Sequence, residues 1–566
     1  MANQNSLSGP LSRFWLVAWS LTLALGWLLP NHYPPWSSFH FDAWVAAAML
    51  PVSLATILLG VPLVRWNAIS LLVAGLALLL ALQYQQGLIA LAGNAWVCAG
   101  YLFGFLLALV TGARWAAANE DQPADGVFLA IGIAAMLSVG LQLHQWLELD
   151  RLDIWSMGQG YGRPFANFGQ PNQLGTFLLW ALLATGWGYV RNFIGARTSI
   201  FVALYLLFGL ALTASRTAWI ALFLVVVAAW AWRRLWPSSR LPMAITCLAA
   251  YFVVCVISIG WINQLLQLGS PYDGEGIARI TGELRPAVWS LFVDAALQRP
   301  LFGYGWNQVG LAEVMASTDR NALHQFFSQS HNLFLDLVLW CGIPVGLTVS
   351  AFLIWWFLRH ILAVRRAEDA LLLLLLIVVA NHAMLELPLH YAYFLLPTGL
   401  VMGALDARMG ARAVFVTGRW AAALVWLFSA AVLALIIRDY RQVESSYQTL
   451  RFEWANVKTL PAQTPDVVLL TQWRDYFRLI RLEPTSDMSD AELAWIENVT
   501  MHYPNIGFFQ KLATALAMNR RPEEAAIWLT RMCRIAPESQ CRAVKAAWAI
   551  QVQREVVLTA VPWPKD

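Results

Sequence analysis

Residues 328–347 read SQSHNLFLDLVLWCGIPVGL, and the interpretation of the whole chain starts from this stretch. His331 precedes an apolar run, Asn332 to Leu358, that is long enough to cross a membrane. The imidazole is therefore expected at the water boundary where that helix begins. Because histidine gains and loses its proton near neutral pH, His331 is a candidate general base. The alternative is a residue that only caps or packs the helix start.

Two arginines are expected near the same membrane face. Arg216 lies in TASRTAW, residues 213–219, and Arg285 lies in RITGELRPAVWSLFVDAALQRPLFGYGWNQ, residues 279–308. A guanidinium group offers phosphate oxygens a bidentate fork. The alternatives are snorkelling to lipid headgroups for Arg216 and a surface ion pair for Arg285. Together with His331, the arginines suit a lipid-linked phosphate and a hydroxyl nucleophile.

The composition is that of a membrane protein. The 566 residues are 59% hydrophobic and 12% charged, with a mean hydropathy of +0.57. This leaves too little polar surface for a soluble protein of that size. The net charge of +4 is spread along the chain, and no basic patch of the kind that binds nucleic acid occurs.

Thirteen apolar runs predict the crossings of an all-α polytopic membrane protein. They lie at about 14–29, 44–64, 68–82, 88–111, 127–146, 174–190, 200–213, 218–231, 243–262, 332–358, 370–384, 393–405 and 421–437. The first run lacks a small-residue cleavage pattern, so we expect a membrane helix rather than a cleaved signal. The nearly continuous stretch 197–233 would span about 50 Å as one helix, so it predicts two short crossings with Arg216 at their turn.

Charged residues predict the orientation and the domains. With a cytoplasmic N-terminus, alternate loops on that side hold arginines, whereas NHYPPWSSFHFD and QYQQG on the other side hold neither Lys nor Arg. The positive-inside rule then places the C-terminal tail outside. The first lysine is Lys458. We therefore expect a membrane domain over 1–437, with an extramembrane loop at about 263–330, and a soluble domain over 438–566.

The stretch from Glu148 to Gln173 is rich in Gly, Pro, Asn and Gln and leads into a membrane helix. This composition disfavours regular helix over much of its length. Gln170, Asn172 and Gln173 present amides at the helix entry, where they can orient sugar hydroxyls or phosphate oxygens. Equally, they can do no more than satisfy the backbone of a helix that begins with proline.

NHAMLELPLHYAYFLLP, residues 381–397, brings polar residues to the same expected face. Glu386 is a carboxylate at membrane depth, which favours a cationic partner among the arginines. Tyr391 and Tyr393 follow the helix-breaking Pro388, and an interfacial aromatic belt is their simpler explanation.

The tail is helical in pattern. Residues 506–548 resemble a tetratricopeptide-like helix pair, with PEE opening one helix. Cys533 and Cys541 flank Pro537 and could form a disulfide in an oxidising compartment. His324, near the end of the long loop, is expected to be an ordinary exposed histidine, and no Cys/His cluster has metal-ligand spacing.

At RPFANFGQPNQLGT, residues 163–176, and SHNLFLDLVLWCGIPVGL, residues 330–347, the sequence resembles bacterial protein O-oligosaccharyltransferases. These pilin-glycosylating ligases share a Wzy-type domain with O-antigen ligases and polymerases. The resemblance extends to NHYPPWSSF, SRTAW and the soluble tail. The HN and SR motifs are shared across the superfamily, whereas FGQPNQ is typical of the protein-glycosylating branch.

The resemblance implies a GT-C-like enzyme of the bacterial inner membrane with its active site facing the periplasm. Such an enzyme transfers a glycan from undecaprenyl diphosphate to Ser or Thr of a protein such as pilin, with inversion and without a metal or other cofactor. His331 would be the base, and Arg216 and Arg285 would bind the diphosphate. The further substrate-binding residues implied are Arg163, Gln170, Asn172, Gln173 and Glu386. The family tyrosine before the proline of LELPLHYAYF is Leu387 here, so Tyr391 or Tyr393 is expected to take its part.

Three other functions compete with this one. An O-antigen ligase would use the same donor with a lipid A core sugar as acceptor, and a polymerase would extend the glycan on its carrier. A lipid-linked glycan transporter would place its ionisable residues near the midplane of broken helices rather than at one face.

Overall fold

The computed structural model describes residues 10–149, 151–152, 154–156, 163–268, 284–318, 322–457 and 464–564. Residues 269–283 of the expected extramembrane loop lie outside these residues. The described chain is almost entirely α-helical, with two short strands, so the predicted all-α class is confirmed.

The helices of the first half are α1 (Pro10–Gly26), α2 (Phe39–Leu59), α3 (Ala68–Gln85), α4 (Ala92–Ala118), α5 (Gln122–Trp146), α6 (Pro171–Val190), α7 (Ala196–Leu212), α8 (Arg216–Ala231) and α9 (Leu241–Leu265). Those of the second half are α10 (Arg285–Gln298), α11 (Val309–Ala316), α12 (Leu333–Cys341), α13 (Ile343–Ala363), α14 (Ala367–Ala383), α15 (Ala392–Arg408) and α16 (Arg419–Trp454). The tail contains α17 (Thr471–Arg481), α18 (Asp490–His502), α19 (Ile506–Met518), α20 (Pro522–Ile535) and α21 (Glu538–Arg554). Strands β1 (Leu63–Trp66) and β2 (Phe415–Gly418) form an antiparallel ribbon.

Seven of the described helices are long and apolar enough to cross a membrane, namely α2, α3, α4, α5, α9, α13 and α16. Helices α1, α7 and α8 are apolar but shorter. The nearly continuous stretch 197–233 is two helices, α7 and α8, as predicted. The chain is therefore a polytopic membrane protein.

The predicted single helix over 332–358 is wrong at Gly342. Helix α12 ends at Cys341, Gly342 has φ 80°, and α13 begins at Ile343. A Cβ on Gly342 would lie 2.2 Å from the Leu301 carbonyl oxygen, so the two backbones approach too closely for any other residue. Gly303, in the facing segment, has φ 67°. A Cβ on Gly303 would lie 2.4 Å from the Leu339 carbonyl oxygen, so the two backbones are equally close there.

The chain folds as two compact units. Unit 1 comprises residues 1–76, 100–282 and 354–433. Within it, a Cβ on Gly112 of α4 would lie 1.9 Å from the Leu400 carbonyl oxygen of α15, and one on Gly403 would lie 2.0 Å from that of Leu109. Membrane helices associate closely through such small residues because lipid leaves no hydrophobic force between them.

Unit 2 comprises residues 77–99, 283–353 and 434–566. Helices α19 and α20 pack as an antiparallel-type pair around Leu512, Leu516, Trp528 and Met532, as the sequence predicted for residues 506–548. Helix α16 continues to Trp454, well past the predicted domain boundary at residue 437. In this second half of α16, the Asp439 carboxylate accepts hydrogen bonds from the backbone N–H groups of residues 468–470 and so fixes the start of the tail.

Candidate functional site

The FGQPNQ segment forms the start of α6 in unit 1. Gln170 is the N-cap residue with extended backbone, and Pro171 is the first helical residue, where its missing N–H costs nothing. Asn172 then joins two other segments of the chain. Its amide oxygen accepts a hydrogen bond from the Ser215 hydroxyl at 2.7 Å, and its amide nitrogen donates to the Glu386 carboxylate at 3.2 Å.

The SR hairpin places Arg216 at a helix start. Ala214 has φ 46°, Ser215 is the N-cap of α8, and its hydroxyl accepts from the Ala218 N–H at 3.3 Å. Arg216 is the first residue of α8, and its side chain is exposed. Arg163 reaches the same turn and donates to the Ala214 carbonyl at 3.4 Å.

The segment after α14 completes this group. Residues Pro388–His390 form one turn of 3₁₀-helix, and Tyr391 is the N-cap residue of α15. The Tyr393 hydroxyl donates to the Gln173 amide oxygen at 2.8 Å, and both side chains are buried. The rings of Tyr391 and Tyr393 lie 5.2 Å apart.

Unit 1 therefore brings together three segments that the sequence had selected separately. Within this arrangement, Glu386 accepts a hydrogen bond from the Asn172 amide. Gln173 and Tyr393 are buried and support the group from beneath, whereas Asn172, Glu386 and Tyr391 are half-buried. The residues share one helix-start region and can contribute to binding a phosphate or sugar.

His331 lies in unit 2, in the loop that precedes α12. The sequence placed it at the helix start, but the N-cap is Asn332, whose side chain accepts from the N–H groups of Phe334 and Leu335. His331 has φ 57° and is half-buried. Histidine tolerates this left-handed conformation better than most residues, and strained residues of this kind often occur at functional sites.

Hydrogen bonds hold the residue before His331 on both sides. The Ser330 N–H donates to the Asp336 carboxylate at 3.0 Å, and the Trp289 indole donates to the Ser330 carbonyl at 3.0 Å. Burial raises the pKa of Asp336 to about 6, and its hydrogen bonds with Ser330 and the charge of His331 oppose that rise. The backbone that carries His331 is thus fixed from both α12 and α10.

Trp289 also connects this loop to Arg285. Arg285 is the first residue of α10. Trp289 follows it by four residues, so both side chains lie on the same face of α10. Arg285 is half-buried and is presented on the helix face that contacts the His331 loop.

A buried glutamate supports the far end of the loop. Glu313 of α11 is 1% exposed, and its carboxylate accepts from the Phe327 N–H at 2.6 Å. The Phe327 ring meets the His331 ring edge to face, with 6.0 Å between centroids. Burial raises the pKa of Glu313 to about 8, although the hydrogen bond from Phe327 opposes the shift.

His324, predicted to be an ordinary exposed histidine, has a partly exposed side chain and also contacts the tail. Its backbone N–H donates to the Arg534 carbonyl at 3.0 Å, and its Nδ1 lies 3.2 Å from the Cys533 carbonyl oxygen. Cys533 is bonded to Cys541, which is the pairing suggested by the sequence. The disulfide-bonded turn of the tail and the His331 loop therefore contact each other within unit 2.

Sequence reasoning missed Trp289, Ser215, Glu313 and Asp336. Ser215 and Asp336 stand inside the motifs already selected, and a serine before a helix is a recognisable N-cap signal. Nothing in the sequence marks Glu313 or Trp289, because their partners are backbone groups distant in the chain. Among the described residues, no group of three or more His, Cys, Asp or Glu side chains could hold a metal ion.

Comparison with known proteins identifies the kind of chain to which these residues belong. Residues 164–187, which include the FGQPNQ segment, match a family model described as protein glycosylation ligase. Residues 201–350 match O-antigen ligase, and residues 370–551 match the C-terminal part of a virulence factor membrane-bound polymerase.

Two relatives come from Acinetobacter baylyi. A general O-oligosaccharyltransferase is 29% identical over 524 residues, which cover 90% of each chain. A ComP-specific O-oligosaccharyltransferase is 27% identical over 277 residues, or 49% of this chain and 50% of that protein. The chain is thus similar to protein O-oligosaccharyltransferases and, over residues 201–350, to the O-antigen ligase family. The resemblance drawn from the sequence is confirmed, and the comparisons support a glycosyltransferase of the membrane.

Proposed function

We propose that this oligosaccharyltransferase transfers a glycan en bloc from undecaprenyl diphosphate to Ser or Thr hydroxyls of periplasmic proteins such as pilin. The acceptor oxygen forms a bond to the anomeric carbon while the bond from that carbon to the diphosphate oxygen breaks. The hydroxyl proton passes to the base, and undecaprenyl diphosphate leaves with the bonding electron pair. Attack opposite the leaving group inverts the anomeric centre, and no metal or other cofactor takes part.

His331 is the proposed base. An alcohol is a poor nucleophile at neutral pH, and a positioned base typically contributes about 10²- to 10⁴-fold in rate. The support for this role is local: the backbone at residue 330 is fixed from both Trp289 and Asp336, while the imidazole remains half-exposed. A general base must be held in one position in order to accept a proton from a substrate that is bound in one geometry.

Arg216 and Arg285 are proposed to bind the diphosphate. Each is the first residue of a helix, where backbone N–H groups and the helix dipole also favour anions. The leaving group gains negative charge as its bond to the sugar breaks, so cationic side chains stabilise the transition state. Further substrate contacts are proposed for Arg163, Gln170, Asn172, Glu386 and Tyr391, with Gln173 and Tyr393 supporting them from within the unit.

We propose that the enzyme resides in the inner membrane, with its reactive residues and its tail facing the periplasm. The arginine distribution among the short loops supports this orientation. The Cys533–Cys541 disulfide also supports it, because disulfides persist in oxidising compartments such as the periplasm. The membrane part over 1–437 would carry the transfer chemistry, and residues 438–566 would form a periplasmic domain.

The relationship to the general O-oligosaccharyltransferase over 90% of both chains is the observation that carries this proposal. The test is coexpression with a lipid-linked glycan pathway and a pilin-like acceptor, followed by mass spectrometry of the acceptor. Glycosylated Ser or Thr should appear with the wild-type chain and be absent with the His331→Ala variant at equal membrane abundance. An unmodified acceptor with the wild-type chain would refute protein as the acceptor class.

A second candidate is favoured by the O-antigen ligase match over residues 201–350. That activity would move the glycan to lipid A core, and the chemistry at the donor would be the same. The polymerase match over residues 370–551 raises the related possibility of glycan extension on the carrier. The same cells distinguish these reactions, because glycan would then accumulate on lipopolysaccharide or lengthen on the carrier lipid instead of modifying the acceptor. A transporter would move the donor without forming any glycosidic bond.

A further inference from the structure

The β1–β2 ribbon and the chain beside it form an exposed apolar surface in unit 1. We call residues 58–66 and 412–420 the ribbon surface. It exposes several large apolar side chains, with exposed fractions of 78% for Leu59, 70% for Val61, 69% for Trp420 and 62% for Val414. The strands pair Leu63 with Gly418 and Arg65 with Val416. Arg65 therefore projects from the ribbon face that also carries Leu63 and Val416.

Two arginines cover the C-terminal end of α2 at this surface. Arg114 donates to the carbonyls of Thr56, Val61 and Leu63 at 2.9, 2.8 and 2.8 Å. A Cβ on Gly60 would lie 2.8 Å from its guanidinium, so the glycine provides the space that the guanidinium fills.

Arg419 donates to the Leu58 carbonyl at 3.1 Å and lies 5.6 Å from the centre of the Trp420 ring. All these partners are neutral, so the two positive charges are held side by side without compensation. Arg65 and Arg412 add two more exposed positive charges to the ribbon surface.

Three other arginines of unit 1 are paired with carboxylates. Arg408 contacts the Asp369 carboxylate at 2.7 Å, Arg191 contacts Asp121 at 2.6 Å, and Arg366 pairs with Glu120. Within the described part of the chain, no carboxylate lies within 4.0 Å of the four arginines of the ribbon surface and α4. The arginines of the ribbon surface and α4 therefore differ from these three, whose charges are paired with carboxylates.

We propose that the ribbon surface binds the phosphate of an anionic phospholipid headgroup. Arg65 and Arg419 would hold the phosphate oxygens, because the guanidinium fork matches them and Arg114 already uses most of its N–H groups on carbonyls. Trp420, Leu59 and Val61 would lie against the glycerol and the upper acyl chains, as interfacial aromatic and apolar residues do. Apolar exposure beside uncompensated positive charge fits a ligand that carries both an anionic headgroup and acyl chains. The site is separate from the residues proposed for glycan transfer.

The experiment uses the purified full chain in nanodiscs of phosphatidylcholine with increasing fractions of phosphatidylglycerol. Native mass spectrometry of the released protein reports the bound anionic lipid, and the thermal unfolding midpoint reports its effect. Each arginine near an anionic surface contributes about fivefold in affinity, so Arg65→Gln with Arg419→Gln should weaken retention by roughly 20-fold.

The matched control is Arg233→Gln with Arg234→Gln, which removes the same charge from the exposed turn between α8 and α9. This control should retain the lipid as the wild type does. Arg65→Gln alone, at an exposed strand position, should fold normally and lose roughly fivefold. Equal losses in the ribbon and control variants would overturn the site. Inorganic phosphate is tested without phosphatidylglycerol, at the phosphate concentration that the lipid supplies. If it shifted the thermal unfolding midpoint of the wild type, the assignment to a lipid would also be overturned.

Discussion

At the residue scale, the proposed mechanism depends on how neighbouring residues fix the position of His331. Its neighbour Ser330 is bonded to Asp336 through its N–H and to Trp289 through its carbonyl. Its ring meets Phe327, whose N–H is bonded to Glu313. As the proposed base, His331 would depend on these neighbouring contacts, so substitutions at the neighbours should change transfer without changing donor binding.

Trp289→Phe should lower the transfer rate by about tenfold, because a small displacement of the base is costly to rate. The substitution keeps an aromatic ring and removes only the indole N–H that bonds the Ser330 carbonyl. Trp495→Phe is the control, since it removes an indole bond to Asp475 within the tail. Single-turnover transfer in detergent separates the two variants. Equal rates for Trp289→Phe and wild type would show that the Ser330 carbonyl bond does not position His331.

Glu313→Gln should alter how stability depends on pH. Because burial raises the pKa of Glu313 to about 8, the folded protein keeps a proton that the unfolded chain releases above its ordinary pKa of 4.5. Stability should therefore fall as pH rises from 4.5 towards 8. Glutamine mimics the protonated acid, so the variant should match wild type near pH 5 and exceed it by about 1–3 kcal/mol near pH 8.

Thermal unfolding midpoints at pH 5 and pH 8 test this directly. The exposed Glu523→Gln is the control and should leave the difference between the two midpoints as in wild type. A Glu313→Gln variant whose midpoint falls with pH as much as that of wild type would show that Glu313 is ionised in the folded protein.

At the scale of elements, the starts of α6 and α8 determine where the unit 1 residues lie. Ser215 caps α8 and donates to Asn172 of α6, and Asn172 in turn donates to Glu386. Arg216 follows Ser215 directly, so the cap also fixes the backbone that carries the guanidinium group.

Ser215→Ala should destabilise the protein by about 1 kcal/mol and also weaken binding of the lipid-linked donor. Ser489→Ala removes a comparable serine cap from α18 in the tail, where it forms a capping box with Glu492. The tail variant should lose similar stability and keep donor affinity. If both variants bound the donor equally well, the cap would have no part in orienting Arg216.

Elements were predicted well where local signals decide them. The α7–α8 turn follows from the length of the apolar stretch, and the α19–α20 pair follows from helical spacing and a Pro start. The break at Gly342 was missed because it depends on the distant Leu301 backbone rather than on neighbouring residues. The extension of α16 to Trp454 was missed because polarity changes at residue 438 while helix propensity does not.

The candidate residues were found where motifs mark them, and their roles needed the structure. Gln173 and Asn172 look alike in the sequence, yet Gln173 is 1% exposed and bonded to Tyr393, whereas Asn172 is half-buried between Ser215 and Glu386. The two side chains differ in burial because they lie on different sides of the first turn of α6. Gln173 faces α15, whereas Asn172 faces the start of α8. A single sequence does not distinguish these two sides, since the helix is apolar over most of its circumference.

At the scale of the whole molecule, the proposed orientation makes the tail periplasmic. The Cys533–Cys541 disulfide should then form in cells, and replacing both cysteines by serine should destabilise the protein by about 2–3 kcal/mol, as expected for a short closed loop. Alkylation of whole-cell extracts under non-reducing conditions should leave these two thiols unmodified until a reductant is added. Free thiols at both positions would place the tail in a reducing compartment and contradict the orientation.

The central proposal is that this chain binds the donor and that His331 accepts the proton of the acceptor hydroxyl. The most direct test is in vitro transfer by purified His331→Ala, measured beside donor binding and beside His324→Ala, a variant of another histidine of unit 2. The account predicts that transfer by His331→Ala falls about 10²- to 10⁴-fold while its donor affinity and unfolding midpoint stay at the wild-type values. Transfer at the wild-type rate by His331→Ala would contradict the assignment of the base.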